Sequence, residues 1–234
     1  MTDNSNHKRT LESLQQLLQE VFGDDLVSIV RYGEPSEKIK VLIVVKVLEA
    51  ANWQQMSSAF DRLRGRASVE PMLLTEKSLK SSTDIFPILI HEMKKGHQVV
   101  HGDDVVAGLE VQRTHLRLRC EQELRTLQLR MQSTCLMHFA SPHRLRVALA
   151  QDYGSFSRLL KIGFELGDVQ SDSDEDRLRA FATKFDLEVE PLLSAKEFAH
   201  GSGTFDEETF GSVYVALMTA VRKAANFADQ MPES

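Results

Sequence analysis

The sequence predicts an α+β chain, with an α/β unit over residues 1–102 followed by an all-helical bundle over residues 103–234. Two observations carry that division. Between Leu26 and Val47 the chain reads LVSIVRYGEPSEKIKVLIVVKV. These are two runs rich in valine and isoleucine, interrupted by Gly33, Pro35 and Ser36, the pattern of two strands joined by a short loop. After Asp103 the texture changes: apolar residues recur three and four apart, and neither Gly nor Pro occurs between Gly108 and Pro142, as expected of long amphipathic helix.

Taken in order, residues 8–22 place Leu11, Leu14, Leu17, Leu18, Val21 and Phe22 at helical spacing, and Gly23 sits where a helix-ending glycine belongs. Val41 to Val45 has no polar residue at either parity, which predicts a strand covered on both faces. Trp53 to Arg64 reads as a helix with Trp53, Met56, Phe60 and Leu63 along its apolar edge. Ser68 to Leu74 reads as a third strand, followed by a short helical piece from Thr75. Phe86 precedes a proline and is pushed away from helix. Ile88 to Met93 fits a turn of helix or an extended run, and His97 to His101 a short strand closed by Gly102. In the bundle, Leu109, Leu116, Cys120, Leu124, Leu127, Met131 and Cys135 form one stripe. Ser141-Pro142 predicts a fresh helix start with Ser141 as N-cap. Further helices are expected near 175–184, 188–200 and up to about 228, the last opened by a Thr204/Glu207 capping box.

Bulk properties narrow the function classes. Charged residues at 26%, hydrophobic residues at 42% and a net charge of −6 describe an ordinary globular protein. The negative balance argues against general nucleic-acid binding. The opening MTDNSNHKRT lacks the apolar segment of a secretory signal. No run approaches the roughly 18 apolar residues of a membrane span. A cytoplasmic location without a membrane partner is expected. Cys120 and Cys135, fifteen residues apart in one helix, would lie about 22 Å apart. That is too far for a disulfide, so both are expected as reduced thiols on an apolar stripe.

The strand, glycine turn and strand beginning at Leu26 resemble the opening of the nucleotidyltransferase fold (the polymerase-β superfamily), especially its minimal and aminoglycoside-adenylyltransferase-like branches. The order of an α/β unit and then a helical bundle extends the resemblance across nearly the whole chain, and it implies a mixed sheet with flanking helices. In that family the turn carries Gly-Ser and the second strand begins Asp-x-Asp. Residues two apart on a strand share a face, so two such carboxylates can hold Mg²⁺ for in-line attack on a triphosphate. Here Gly33 is kept, Glu34 stands in the serine position, and Lys38 and Lys40 stand where the two aspartates would be. The third family carboxylate falls near Glu70. A protonated lysine has donors only and cannot coordinate a metal.

The resemblance therefore implies a catalytically inactive nucleotidyltransferase-like protein that acts by binding a nucleotide or a protein partner, itself included. Gly33, Lys38 and Lys40 are its nucleotide-binding positions, ATP or another nucleotide its ligand, and Mg²⁺ is not expected. Lys46, at the parity of Lys38 and Lys40, could extend a metal-independent anion site. Without a metal, Glu70 lacks a counter-charge, so a Lys40–Glu70 ion pair or close approach across neighbouring strands is expected. One alternative is an active transferase recruiting metal through Glu34, Glu37 and Glu70. Another is an antitoxin-like or scaffold partner that uses the bundle as its contact surface.

Other constellations carry a functional and a plainer reading. His91, His97, His101, Asp103 and Asp104 form the best metal-like group, with His97 and His101 an even number apart and so able to share a strand face, but their spacing matches no known site. Asp172, Asp174 and Asp176 alternate as in a calcium loop, which Arg177 and Thr183 then break. Gly201 to Thr204 precedes a helix as a phosphate loop would, yet Asp206, Glu207 and Glu208 follow. Arg62, Arg64 and Arg66 read as an anion patch or as cations complementing a helix C-terminus. Arg113, Arg117, Arg119, Arg125, Arg130, His143, Arg144 and Arg146 make the first bundle helices basic. They read as an RNA- or phosphate-binding face, or, more commonly for such a pattern, as a solvated helix surface or partners for the acidic stretch 165–208.

Overall fold

The valine- and isoleucine-rich runs pair as strands in the computed structural model, which describes residues 2–33, 38–63, 68–139, 141–202 and 207–232. Strands β1 (Leu26–Tyr32) and β2 (Lys38–Val45) are antiparallel, β3 (Ser68–Thr75) runs parallel to β2, and β4 (His97–Gly102) runs antiparallel to β1. The result is a mixed four-stranded sheet of order β3-β2-β1-β4. The helices of this unit are α1 (Thr2–Phe22), α2 (Ala50–Leu63), α3 (Glu76–Lys80) and α4 (Pro87–Lys95).

The uninterrupted apolar run in β2 follows from burial on both sides: Val41 to Val45 are all 0% exposed. Ile39, Val41, Ile43 and Val45 pack with Leu14, Leu18 and Phe22 of α1 and with Met56 and Leu63 of α2. Leu42 and Val44 turn the other way, toward Leu79, Ile90 and Met93. Gly23, with φ +50°, ends α1 as expected. Trp53 departs from expectation: it is 57% exposed, while Met56, Ala59 and Leu63 form the buried edge of α2.

By contact the chain separates into compact units Met1–Gln112 and Arg113–Ser234, whereas the sequence reading set the change at 102/103. The intervening residues fold onto the sheet for a local reason. The Asp104 carboxylate accepts the backbone N–H groups of Val106 (3.1 Å) and Ala107 (3.0 Å), a side-chain turn that drops Val106 and Leu109 into the core with Val30 and Leu42. The Lys94 ammonium donates to the Leu109 carbonyl. Leu109 thus belongs to the sheet's core and not to the helical stripe.

The second unit is all-helical: α5 (Arg113–His138), α6 (Pro142–Leu166), α7 (Asp174–Phe185), α8 (Glu190–Ala199) and α9 (Glu207–Asp229). Along α5 the expected stripe is buried at Leu116, Cys120, Leu124, Leu127 and Met131. Both cysteines are free thiols. Burial pushes the Cys120 thiol up to about 12, and its hydrogen points at the Leu159 carbonyl at 3.6 Å. Ser141 does precede α6, but its side chain makes no capping hydrogen bond. Ser173 caps α7 by accepting the Asp176 N–H at 3.1 Å. The Thr204 capping box lies outside the described residues.

Candidate functional site

Strand register gathers the sequence-predicted residues at one end of the sheet. Tyr32 on β1 pairs with Lys40 on β2 and with His97 on β4, and Lys40 pairs with Glu70 on β3. One row of four side chains, His97–Tyr32–Lys40–Glu70, therefore crosses all four strands. The row lies on the α4 side of the sheet, because Tyr32 and Leu42 both pack with Met93 and Ile90. Electrostatics agree: burial chiefly, then the Glu70 and Glu92 charges, push the Tyr32 phenol above its ordinary value. Lys40 and Glu70 are thus neighbours on one face, without a closed ion pair between them among the described residues.

Gly33 begins the turn with φ +80°, a left-handed backbone that suits glycine. Its N–H donates to the Gly96 carbonyl at 3.1 Å, tying the end of β1 to the start of β4. A side chain at Gly33 would meet the Lys40 stem, whose Cδ would stand 3.7 Å from the added Cβ. The lysine stem therefore lies across the glycine. Lys38 sits at the exposed start of β2, in register with Ser68. Lys46 does not join this cluster. It lies at the far end of the strand, where its ammonium donates to the Asp24 carbonyl at 2.6 Å. Eight residues of strand separate Lys38 from Lys46, about 26 Å. Glu34 and Glu37 lie outside the described residues.

The histidines separate for a reason of backbone geometry. The β1–β4 register shifts between Ile29 and Val30, so His101 pairs with Ile29 and Val99 with Val30. Val100 is the extra residue of a bulge, and it reverses the face on which later residues fall. His97 consequently lies on the α4 side, its Nδ1 3.0 Å from the Met93 carbonyl and its Nε2 3.1 Å from both Asp104 carboxylate oxygens. His101 falls on the α1 side, 3.4 Å from Gln15. The expectation that His97 and His101 share a face is corrected by that bulge. Gly102, which follows, has φ +72° and approaches Val27 so closely that a Cβ would stand 1.9 Å from its carbonyl oxygen. Among the described residues no group of three or more His, Cys, Asp or Glu could hold a metal ion. The His97 hydrogen bond chiefly holds the Asp104 carboxyl below the usual carboxylate range.

Most of the remaining sequence candidates among the described residues have internal partners. Arg130 donates from Nε (2.9 Å) and Nη2 (2.7 Å) to Asp152, whose other oxygen accepts the Tyr214 hydroxyl at 2.7 Å. Arg117 reaches the Ala228 carbonyl (3.1 Å), Arg119 reaches Glu123 (3.2 Å), and Arg125 reaches Asn226 (2.9 Å). Arg113 donates to the Leu166 carbonyl and lies 3.4 Å from Asp168, and Arg146 stands 5.8 Å over the Phe210 ring. His143 and Arg144 are exposed near the start of α6. Asp174, from the calcium-like alternation, accepts the Tyr153 and Ser157 hydroxyls and an Arg177 N–H. Arg62 lies 3.8 Å from Glu20, while Arg64 and Arg66, and Gly203 and Thr204, fall outside the described residues.

Tyr32 and Glu92 are absent from the sequence reading, which groups His97 with Asp104 as metal-like residues where the structure pairs them by hydrogen bond. Counting back across the hairpin from Lys40 could have found Tyr32, since residues opposite each other on antiparallel strands share a face. No described helix is long and apolar enough to cross a membrane. No protein-family model matches the sequence, and a search of curated proteins finds no match.

Proposed function

We propose that the sheet unit is a nucleotidyltransferase-like domain with its metal positions replaced by lysine, and that it acts by binding an anionic ligand, with a nucleotide as the first candidate. One observation carries this reading: Lys40, at a position where the resembled family places a metal-holding aspartate, is the register partner of Glu70, at the position of the third carboxylate. A lysine in register with a carboxylate brings positive charge to the face where a divalent cation would sit between carboxylates, and it does so with hydrogen-bond donors alone. Lys38, two residues earlier on the same face, adds a second cation near the turn that opens at Gly33.

The test is isothermal titration with ATP and GTP, in Mg²⁺ and again in EDTA, with a labelled-nucleotide transfer assay on the same sample. The proposal expects binding that survives EDTA, is weakened by Lys40→Ala, and is not accompanied by label transfer. Strictly metal-dependent binding with transfer would overturn it and shift attention to Glu34, Glu37 and Glu70. Absence of binding in both conditions would also overturn the anion-site reading.

A further inference from the structure

Both ring nitrogens of His97 face hydrogen-bond acceptors. Nδ1 lies 3.0 Å from the Met93 carbonyl on α4, and Nε2 lies 3.1 Å from each oxygen of the Asp104 carboxylate. A backbone carbonyl only accepts hydrogen bonds, and so does an ionised carboxylate. Neutral imidazole carries one N–H, so it satisfies one of these neighbours and turns a lone pair on the other. The imidazolium, with two N–H groups, satisfies both. Asp104 is kept ionised by the backbone, because its Oδ1 also accepts the Val106 and Ala107 N–H groups. The shared proton of the pair therefore belongs to the ring.

We propose that His97 and Asp104 form a pH-sensitive latch, closed when the ring carries both protons, that holds the connector 103–112 against the sheet. The connector follows β4 and ends where the second unit begins at Arg113. Its first turn hangs on the Asp104 carboxylate, and that turn sends Val106 and Leu109 into the core beside Val30 and Leu42. The other fastenings end on carbonyls: the Ser28 hydroxyl reaches those of His101 and Asp103, and the Lys94 ammonium reaches that of Leu109. Along the sheet row, Tyr32 is the register partner of His97, with Lys40 and Glu70 beyond it. On α4, the Glu92 charge acts on Tyr32. Asp104 is the carboxylate that meets the ring.

The Asp104 side chain is 42% exposed and that of His97 17%, so the carboxylate is the member that yields. Once Nε2 loses its proton, the carboxylate faces a lone pair, swings to water and takes its turn with it. The latch thus opens as pH rises. It opens again in acid. The His97 hydrogen bond chiefly holds the Asp104 carboxyl below its ordinary value. That contribution is present above the unfolded value, about 3.9, and is lost as pH falls through the lower folded one. The inference stands apart from the anion-site reading of the lysines.

Amide hydrogen exchange of Val106 and Ala107 in the full chain, corrected for its intrinsic pH dependence, reads the latch directly. Protection should fall by about tenfold between pH about 5 and about 9. Nitrogen-15 shifts should show both ring nitrogens of His97 protonated at the acid end and Nε2 bare at the alkaline end. His97→Gln should remove the pH dependence. Asp104→Asn keeps an oxygen for the two backbone amides and offers its own N–H to a neutral ring, so its protection should also stay flat. Unchanging protection in the wild-type chain, a ring with one proton throughout, or a pH dependence that survives either substitution would overturn the proposal.

Discussion

In the helical unit, charged side chains end on one another. Arg130 and Tyr214 share the Asp152 carboxylate, which is 2% exposed. Tyr153, Ser157 and Arg177 converge on Asp174. In the sheet unit, the central strands β1 and β2 carry stability through apolar residues buried on both faces, and Lys38 and Lys40 lie at the exposed start of β2. The difference teaches how to read cations in this chain. Eight basic residues on two helices admit a phosphate face or internal pairing, and most of them have internal partners. Two lysines in a short strand were a weaker signal, but their place in the sheet makes them the better candidates for a ligand.

Four substitutions or conditions sharpen that contrast, beginning with the largest effect. Leu42→Ala removes a fully buried side chain from the middle of β2 and should cost about 2–5 kcal/mol. Urea unfolding followed by the fluorescence of Trp53, the chain's single tryptophan, reports this loss from within the sheet unit. Asp152→Ala leaves the buried Tyr214 hydroxyl without its acceptor and should destabilise the helical unit by about 1–3 kcal/mol, read by far-ultraviolet circular dichroism.

The third is a pH effect. Burial works to raise the Asp174 carboxyl, but hydrogen bonds from Ser157 and Tyr153 and the Arg177 charge outweigh it and hold the group below its ordinary value. A carboxyl depressed on folding contributes stability that is present above its unfolded value, about 3.9. That contribution is lost as pH falls through the lower folded value. Thermal melts between neutral pH and strong acid should show this acid limb, and Asp174→Asn should flatten it. The smallest effect belongs to Lys40→Ala, which should change stability by only about 0–1 kcal/mol while weakening anion binding. A larger loss would mean that Lys40 is structural, and would erase the contrast between the units.

Much of the fold is legible in the residues because local chemistry and burial agree there. Val41 to Val45 reads as a two-sided strand and is one. Gly23 and Pro142 mark helix ends that the backbone respects. Two features are not legible, each for a physical reason. The bulge at Val100 changes which face His101 occupies without changing composition at all. Leu109 continues the periodicity of α5 by coincidence of spacing, while the Asp104 turn sends it to the sheet. At the candidate site, the strand positions of Lys40 and Glu70 follow from pattern, but their pairing is a matter of register, which a parallel crossover leaves open from sequence.

The proposed role of Lys38 and Lys40, that of cations at positions where a nucleotidyltransferase would hold metal, is tested most directly by Mg²⁺ titration of the wild-type chain against a Lys38→Asp/Lys40→Asp variant. Calorimetry should detect no specific Mg²⁺ site in the wild-type chain. The variant, with two carboxylates placed on the same face as Glu70, should bind Mg²⁺ and be stabilised by it. Stoichiometric Mg²⁺ binding by the wild-type chain that is abolished by Glu70→Gln would contradict the proposal, because the lysines would then not exclude a metal from this site.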